Sequence, residues 1–101
     1  MKEGEFPMLK TFEKDPGEDL DYGFDLSEWL TGPEQIVSIV VTSDPPGLVT
    51  IHDEVVTPEQ AAAWVAGGTA GDRVRLIFTV TTDNVPPRVF QRSIQLWVKR
   101  R

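Results

Sequence analysis

Residues 61–82, AAAWVAGGTAGDRVRLIFTVTT, decide the fold. In their second half Val74, Leu76, Phe78 and Val80 fall on one face, with Arg73, Arg75, Thr79 and Thr81 on the other. Period-two alternation of this length predicts an antiparallel strand with one buried and one wet face. Gly67-Gly68-Thr69-Ala70-Gly71 reads as a turn, because glycine reaches positive φ without steric cost. Thr57, Pro58 and Gln60 also resemble a helix start, with Thr57 as N-cap and Pro58 at the first helical position. Such a helix would meet the glycines before it could support itself. A strand from about residue 62 to residue 66 is therefore favoured, with Trp64 in its core.

The same pattern extends outward in both directions. Downstream, residues 82–87 form a hairpin loop, and a last strand spans residues 88–99. There Phe90, Ile94, Leu96 and Val98 share a face, Trp97 lies opposite, and Arg92 marks the place where the strand leaves the core. Upstream, IVSIVVTS (residues 36–43) is β-branched and apolar on both faces, and Asp44-Pro45-Pro46-Gly47 is a strong turn signal. Residues 48–52 form a short strand that continues past a bend through residues 54–57. Short strands at regular spacing, separated by Pro and Gly turns, predict an all-β fold: an Ig-like antiparallel β-sandwich of about 6–8 strands.

Ahead of this body lies an acidic leader. Residues 1–34 carry ten acidic and three basic side chains, a net of −7, whereas residues 35–101 carry six acidic and seven basic, a net of +1. This division separates an N-terminal arm, 1–34, from a sandwich body, 35–101, within one domain. In residues 1–14 Gly4 and Pro7 argue for an extended arm or edge strand, with Phe6, Met8 and Phe12 available for docking. Asp15-Pro16-Gly17-Glu18 is a turn. Leu20, Tyr22, Phe24 and Leu26 then alternate with Asp19, Asp21, Gly23 and Asp25, which describes a strand with one apolar face. Ser27 is placed to cap a single helical turn containing Glu28, Trp29 and Leu30.

The charge pattern disfavours nucleic acid, whose backbone demands a basic face. No apolar run has the length of a bilayer span, and no membrane contact is expected. No cysteine is present, so disulfides and thiolate chemistry are excluded. His52 is the single histidine, and no nucleophile and base stand in a recognisable pattern, so neither a catalytic residue nor a cofactor is expected. The Asp19, Asp21, Gly23, Asp25 spacing suggests the start of a calcium loop, but Phe24 and Leu30 occupy the glycine and glutamate positions of an EF-hand. No metal site is assigned. The glycine turn at 67–71 has no lysine for a phosphate loop. Trp29 and Trp97 leave one alternative open, a carbohydrate-binding module that stacks sugars on an exposed indole.

The combination FEKDPGEDLDYGFDLSEWL, AWVAGGTAGDRVRLIFTVTT and the closing RSIQLWV resembles a family of small tailed-phage and prophage proteins, the fibre–tail adaptors and related virion-assembly components. The similarity spans about residues 10–99, and Asp15-Pro16 through Trp29-Leu30 is its most specific part. The chain departs from the pattern in lacking a tryptophan within residues 36–43 and in reading Asp83-Asn84-Val85-Pro86-Pro87-Arg88 where many members carry Gly-Arg. The resemblance implies a non-enzymatic virion protein with an Ig-like body, made in the bacterial host cytoplasm. Its implied partners are other virion proteins, namely the tail tube or adaptor and the fibre, with a homo-oligomeric ring as its assembled form. The leader is the expected interface. Leu20, Tyr22, Phe24, Trp29 and Leu30 would act as apolar anchors, while Asp19, Asp21, Asp25 and Glu28 would set register against a basic surface. On this reading, deleting residues 1–30 abolishes assembly and leaves the body folded.

Overall fold

The computed structural model describes residues 10–100. Seven strands follow in order: β1 (Lys10–Lys14), β2 (Leu20–Asp25), β3 (Ile36–Asp44), β4 (Thr50–Val56), β5 (Gln60–Ala66), β6 (Arg73–Thr82) and β7 (Val89–Val98). A 3-10 turn, Ser27–Trp29, follows β2. The arm residues Phe6 and Met8 lie outside the described residues.

β6 realises the alternation that opens the sequence. Val74, Leu76, Phe78 and Val80 are fully buried, whereas Arg73 and Arg75 are exposed. β7 lies antiparallel to β6 in a register that opposes Val74 to Leu96 and Leu76 to Ile94, so two inward rows meet side by side. β3 pairs with the other edge of β6 through a bulge between Ile36 and Ser38. β1 completes this sheet by running parallel to β7, giving the order β1-β7-β6-β3. The facing sheet has the order β2-β5-β4, with both pairs antiparallel. Lettered as an immunoglobulin domain, β3, β6 and β7 are C, F and G, and β2, β5 and β4 are B, E and D. The fold is the expected Ig-like sandwich, with one parallel pair where the first strand joins the last.

The core between the sheets contains Leu76, Phe78, Ile94 and Leu96 from one side and Ala61, Ala63 and Val65 from the other. Each buried Leu, Ile, Val or Phe contributes roughly 1.5–3 kcal/mol relative to exposure. The small inward residues of β5 correct the expectation for Trp64. With Ala61, Ala63 and Val65 pointing inward, strand parity sends Trp64 outward, and 37% of its surface is exposed. The turn after β5 is built as expected, and Gly68 is its tightest point. Its φ is 98°, and a Cβ there would lie 3.0 Å from Val98 Cγ2.

Lys14 ties the two sheets together. Its residue is fully buried at the end of β1, and Nζ donates to the carbonyls of Asp15 (3.0 Å) and Gly67 (2.7 Å), the latter in the β5–β6 turn. Burial pushes its pKa below the ordinary lysine value, against the opposing pull of Glu18, Asp19 and Asp15. Two carbonyl acceptors and an acidic turn are what a buried ammonium requires.

Candidate functional site

The leader's acidic residues line a sheet edge that no other described strand occupies. β2 is the terminal strand of its sheet, and its alternation turns Asp21 and Asp25 to the exposed side while Tyr22 and Leu26 enter the core. Asp25 Oδ1 accepts the Ser27 N–H at 3.0 Å, and that bond holds the carboxyl below its ordinary pKa. Glu28 is exposed on the 3-10 turn that follows. Between the two aspartates, Gly23 allows close strand approach. A Cβ there would fall 2.3 Å from the Ala61 carbonyl oxygen and 2.7 Å from Ala62 Cβ. Asp21, Gly23, Asp25, Gln60 and Ala62 border a shallow groove.

The apolar members of the predicted interface lie differently. Tyr22 is buried, its ring 5.6 Å from that of Phe12. Phe24 packs edge-on against Phe78 at 5.3 Å, and Trp29 and Leu30 are half-buried against the same core. Arg92 lies 4.0 Å above the Trp29 ring and 4.9 Å from the Phe90 ring. Arg92 is half-buried under the Trp29 ring, and Phe90 and Ile94 on either side of it both pack against the core, so β7 does not leave the core at this position as the sequence suggested. Leu20 is 39% exposed. The structure thus gathers Asp19, Leu20, Asp21, Asp25 and Glu28 at the surface, while Tyr22, Phe24, Trp29 and Leu30 contact the sandwich itself.

Asp19 takes part in a contact absent from any local sequence pattern. His52 Nε2 lies 2.9 Å and 3.0 Å from the two Asp19 carboxylate oxygens, and Nδ1 lies 2.7 Å from Asp53 Oδ2. Two carboxylates raise the His52 pKa, Asp53 first and Asp19 second, because only the imidazolium donates from both nitrogens. Asp53 reaches its place through a φ of 50° in the bulge between His52 and Val55. The pair spans β5, whose Trp64 opposes Asp21 on one side and His52 on the other. It clamps the start of β2 to β4.

A second cluster fixes the end of the leader. The Glu34 side chain is 1% exposed, and its Oε1 accepts from Arg88 (2.7 Å) and from the Thr31 N–H (2.9 Å). Oε2 accepts from Thr82 Oγ1 at 2.5 Å. These bonds, the Thr82 hydroxyl foremost, hold Glu34 below its ordinary pKa. Asp83 adds a reciprocal pair with Gln35, Oδ1 accepting the Gln35 N–H and Asp83 N–H donating to the Gln35 carbonyl, both at 2.9 Å. The segment after Trp29 is thereby sewn to the β6–β7 hairpin.

The tryptophans proposed for sugar stacking carry cations. Arg73 lies 4.3 Å and Lys99 Nζ 4.4 Å from the Trp97 ring centre, and Arg92 covers Trp29. No group of three or more His, Cys, Asp or Glu among the described residues is placed to hold a metal ion.

Residues 14–97 match the model of a family described as Gp77, podophage GP4 fiber-tail adaptor protein gp77. No curated protein matches the chain.

Proposed function

Because the chain belongs to the podophage fibre–tail adaptor family, a family of phage structural proteins, we propose that it joins the tail to its fibres through protein–protein contacts. The match over residues 14–97 carries this reading, since it spans nearly all the described strands. The acidic edge of the leader supplies the contact chemistry. Asp19, Asp21, Asp25 and Glu28, together with exposed Leu20, present negative charge beside a small apolar area to a basic partner surface. Charge of this kind steers encounter and fixes register more than it adds affinity. Tyr22, Phe24, Trp29 and Leu30 support that edge from behind by packing against the core. The protein works in several copies as a ring in the virion, after synthesis in the bacterial host cytoplasm.

The test is a phage in which this gene alone is silenced. Particles should assemble with filled heads and lack fibres when examined by electron microscopy and by mass spectrometry of purified virions. A silenced phage that retains its full complement of fibres would sink the reading.

A further inference from the structure

We infer that the free edge of β2 receives an extended basic segment of a partner protein as an added strand. The inference deepens the adaptor reading and rests on it for the origin of the partner.

In an antiparallel ladder, directly opposed residues alternate between pairs that exchange backbone hydrogen bonds and pairs that do not. The Leu26 N–H donates to the Glu59 carbonyl at 2.7 Å, and the strand register continues this pairing as Phe24 with Ala61, Tyr22 with Ala63 and Leu20 with Val65. Those are the bonded pairs. The backbone N–H and C=O groups of Asp21, Gly23 and Asp25 therefore face away from β5, toward the edge that no described strand occupies. Natural sheets usually block such an edge with lysine, proline or a bulge. Here the blocking residues are aspartates alone, and aspartate excludes acidic strands while attracting basic ones.

The edge also specifies what it accepts. An added strand places its residues directly opposite Asp21, Gly23 and Asp25, with Cβ atoms close enough for the side chains to interact. Lys or Arg fits opposite each aspartate. Opposite Gly23, the groove bordered by Gln60 and Ala62 accepts a large apolar side chain, since an aromatic residue across from a strand glycine covers its bare backbone. The recognised pattern is Lys or Arg, any residue, a large apolar residue, any residue, Lys or Arg. Backbone bonding supplies affinity and the alternate side chains supply specificity, as in other strand-addition complexes.

The probe is a fluorescein-labelled peptide containing Lys-Thr-Phe-Thr-Lys, titrated with the intact protein and followed by anisotropy. Saturable binding is expected, with amide-exchange protection gained at Asp21, Gly23 and Asp25. Methylating the Phe nitrogen removes a donor that faces β2 and should weaken binding roughly tenfold or more. Methylating an adjacent Thr nitrogen, which points away, should leave binding unchanged. The double variant Asp21→Asn/Asp25→Asn should also bind about tenfold more weakly. Absence of binding, equal binding of the Phe-methylated peptide, or protection confined to other residues would each overturn the inference. If the peptide fails while the silenced phage still lacks fibres, strand addition falls and the adaptor reading stands. Peptide binding alongside a fully fibred silenced phage would instead uphold strand addition and remove the adaptor reading.

Discussion

At the scale of single residues, the chain places three ionisable groups where their charge has structural consequences. Glu34 is held below its ordinary pKa by Thr82, Thr31 and Arg88, so its stabilisation is complete above the titration of an unfolded glutamate, near pH 4.3. That contribution disappears as pH falls through the lower folded value. Glu34→Gln should reduce the thermal midpoint at pH 7 and flatten its acid limb, which a series of melts between neutral and acidic pH would reveal. An unchanged acid limb would refute the assignment. His52 has the opposite sign. Its raised pKa makes the clamp to Asp19 fully effective below about pH 6.5, and the contribution is lost as pH rises through the folded value. His52→Gln should therefore lower the melting temperature more at pH 5.5 than at pH 8.5, by a modest amount because the site is exposed. For Lys14, replacement by Met keeps the apolar stem and leaves the Gly67 carbonyl without its donor. The expected cost is roughly 1–3 kcal/mol in urea unfolding, and a neutral result would mean that burial of the charge offsets its hydrogen bonds.

Among the elements, β6 and β7 were legible because alternation alone fixes which side chains enter the core, and every buried residue of β6 from Val74 to Val80 falls on the predicted face. β5 was less legible. A run of three alanines gives no phase, so the bulk of Trp64 was the strongest local clue and it pointed the wrong way; only the inward Val65 fixes the parity. The leader strand could be recognised by its apolar row, yet whether that row meets a partner or the chain's own core is decided by β5, forty residues later in sequence. The Asp19–His52 contact was invisible for the same reason, since it depends on β2 and β4 flanking one strand. Gly23 provides the test at this scale. Any side chain there collides with Ala61 and Ala62, so Gly23→Ala should push β2 from β5 and lower stability by about 1–3 kcal/mol. Faster amide exchange at Tyr22 and Phe24 should accompany the loss, because their N–H groups bond across this pair. Stability equal to that of the parent chain would show that the close approach is unimportant.

For the molecule as a whole, the acidic leader is also structural material. β1 is an outer strand of one sheet and β2 of the other, and both run through the segment that carries most of the negative charge. A chain beginning at residue 31 would lack Lys14, Tyr22 and Leu26, all buried, and would expose the flanks of β7 and β5. Two buried apolar side chains contribute roughly 3–6 kcal/mol together, a large share of the 5–15 kcal/mol that holds a domain folded. The truncated chain should therefore show no cooperative thermal transition and poor amide dispersion in its NMR spectrum. A sharp transition with native-like dispersion would instead show that residues 35–101 fold alone, as the charge division suggests from sequence. The outcome governs how assembly experiments are read. If truncation unfolds the protein, loss of fibres after truncation reports on folding, and only substitutions that spare the core, such as Asp21→Asn and Asp25→Asn, report on contact with a partner.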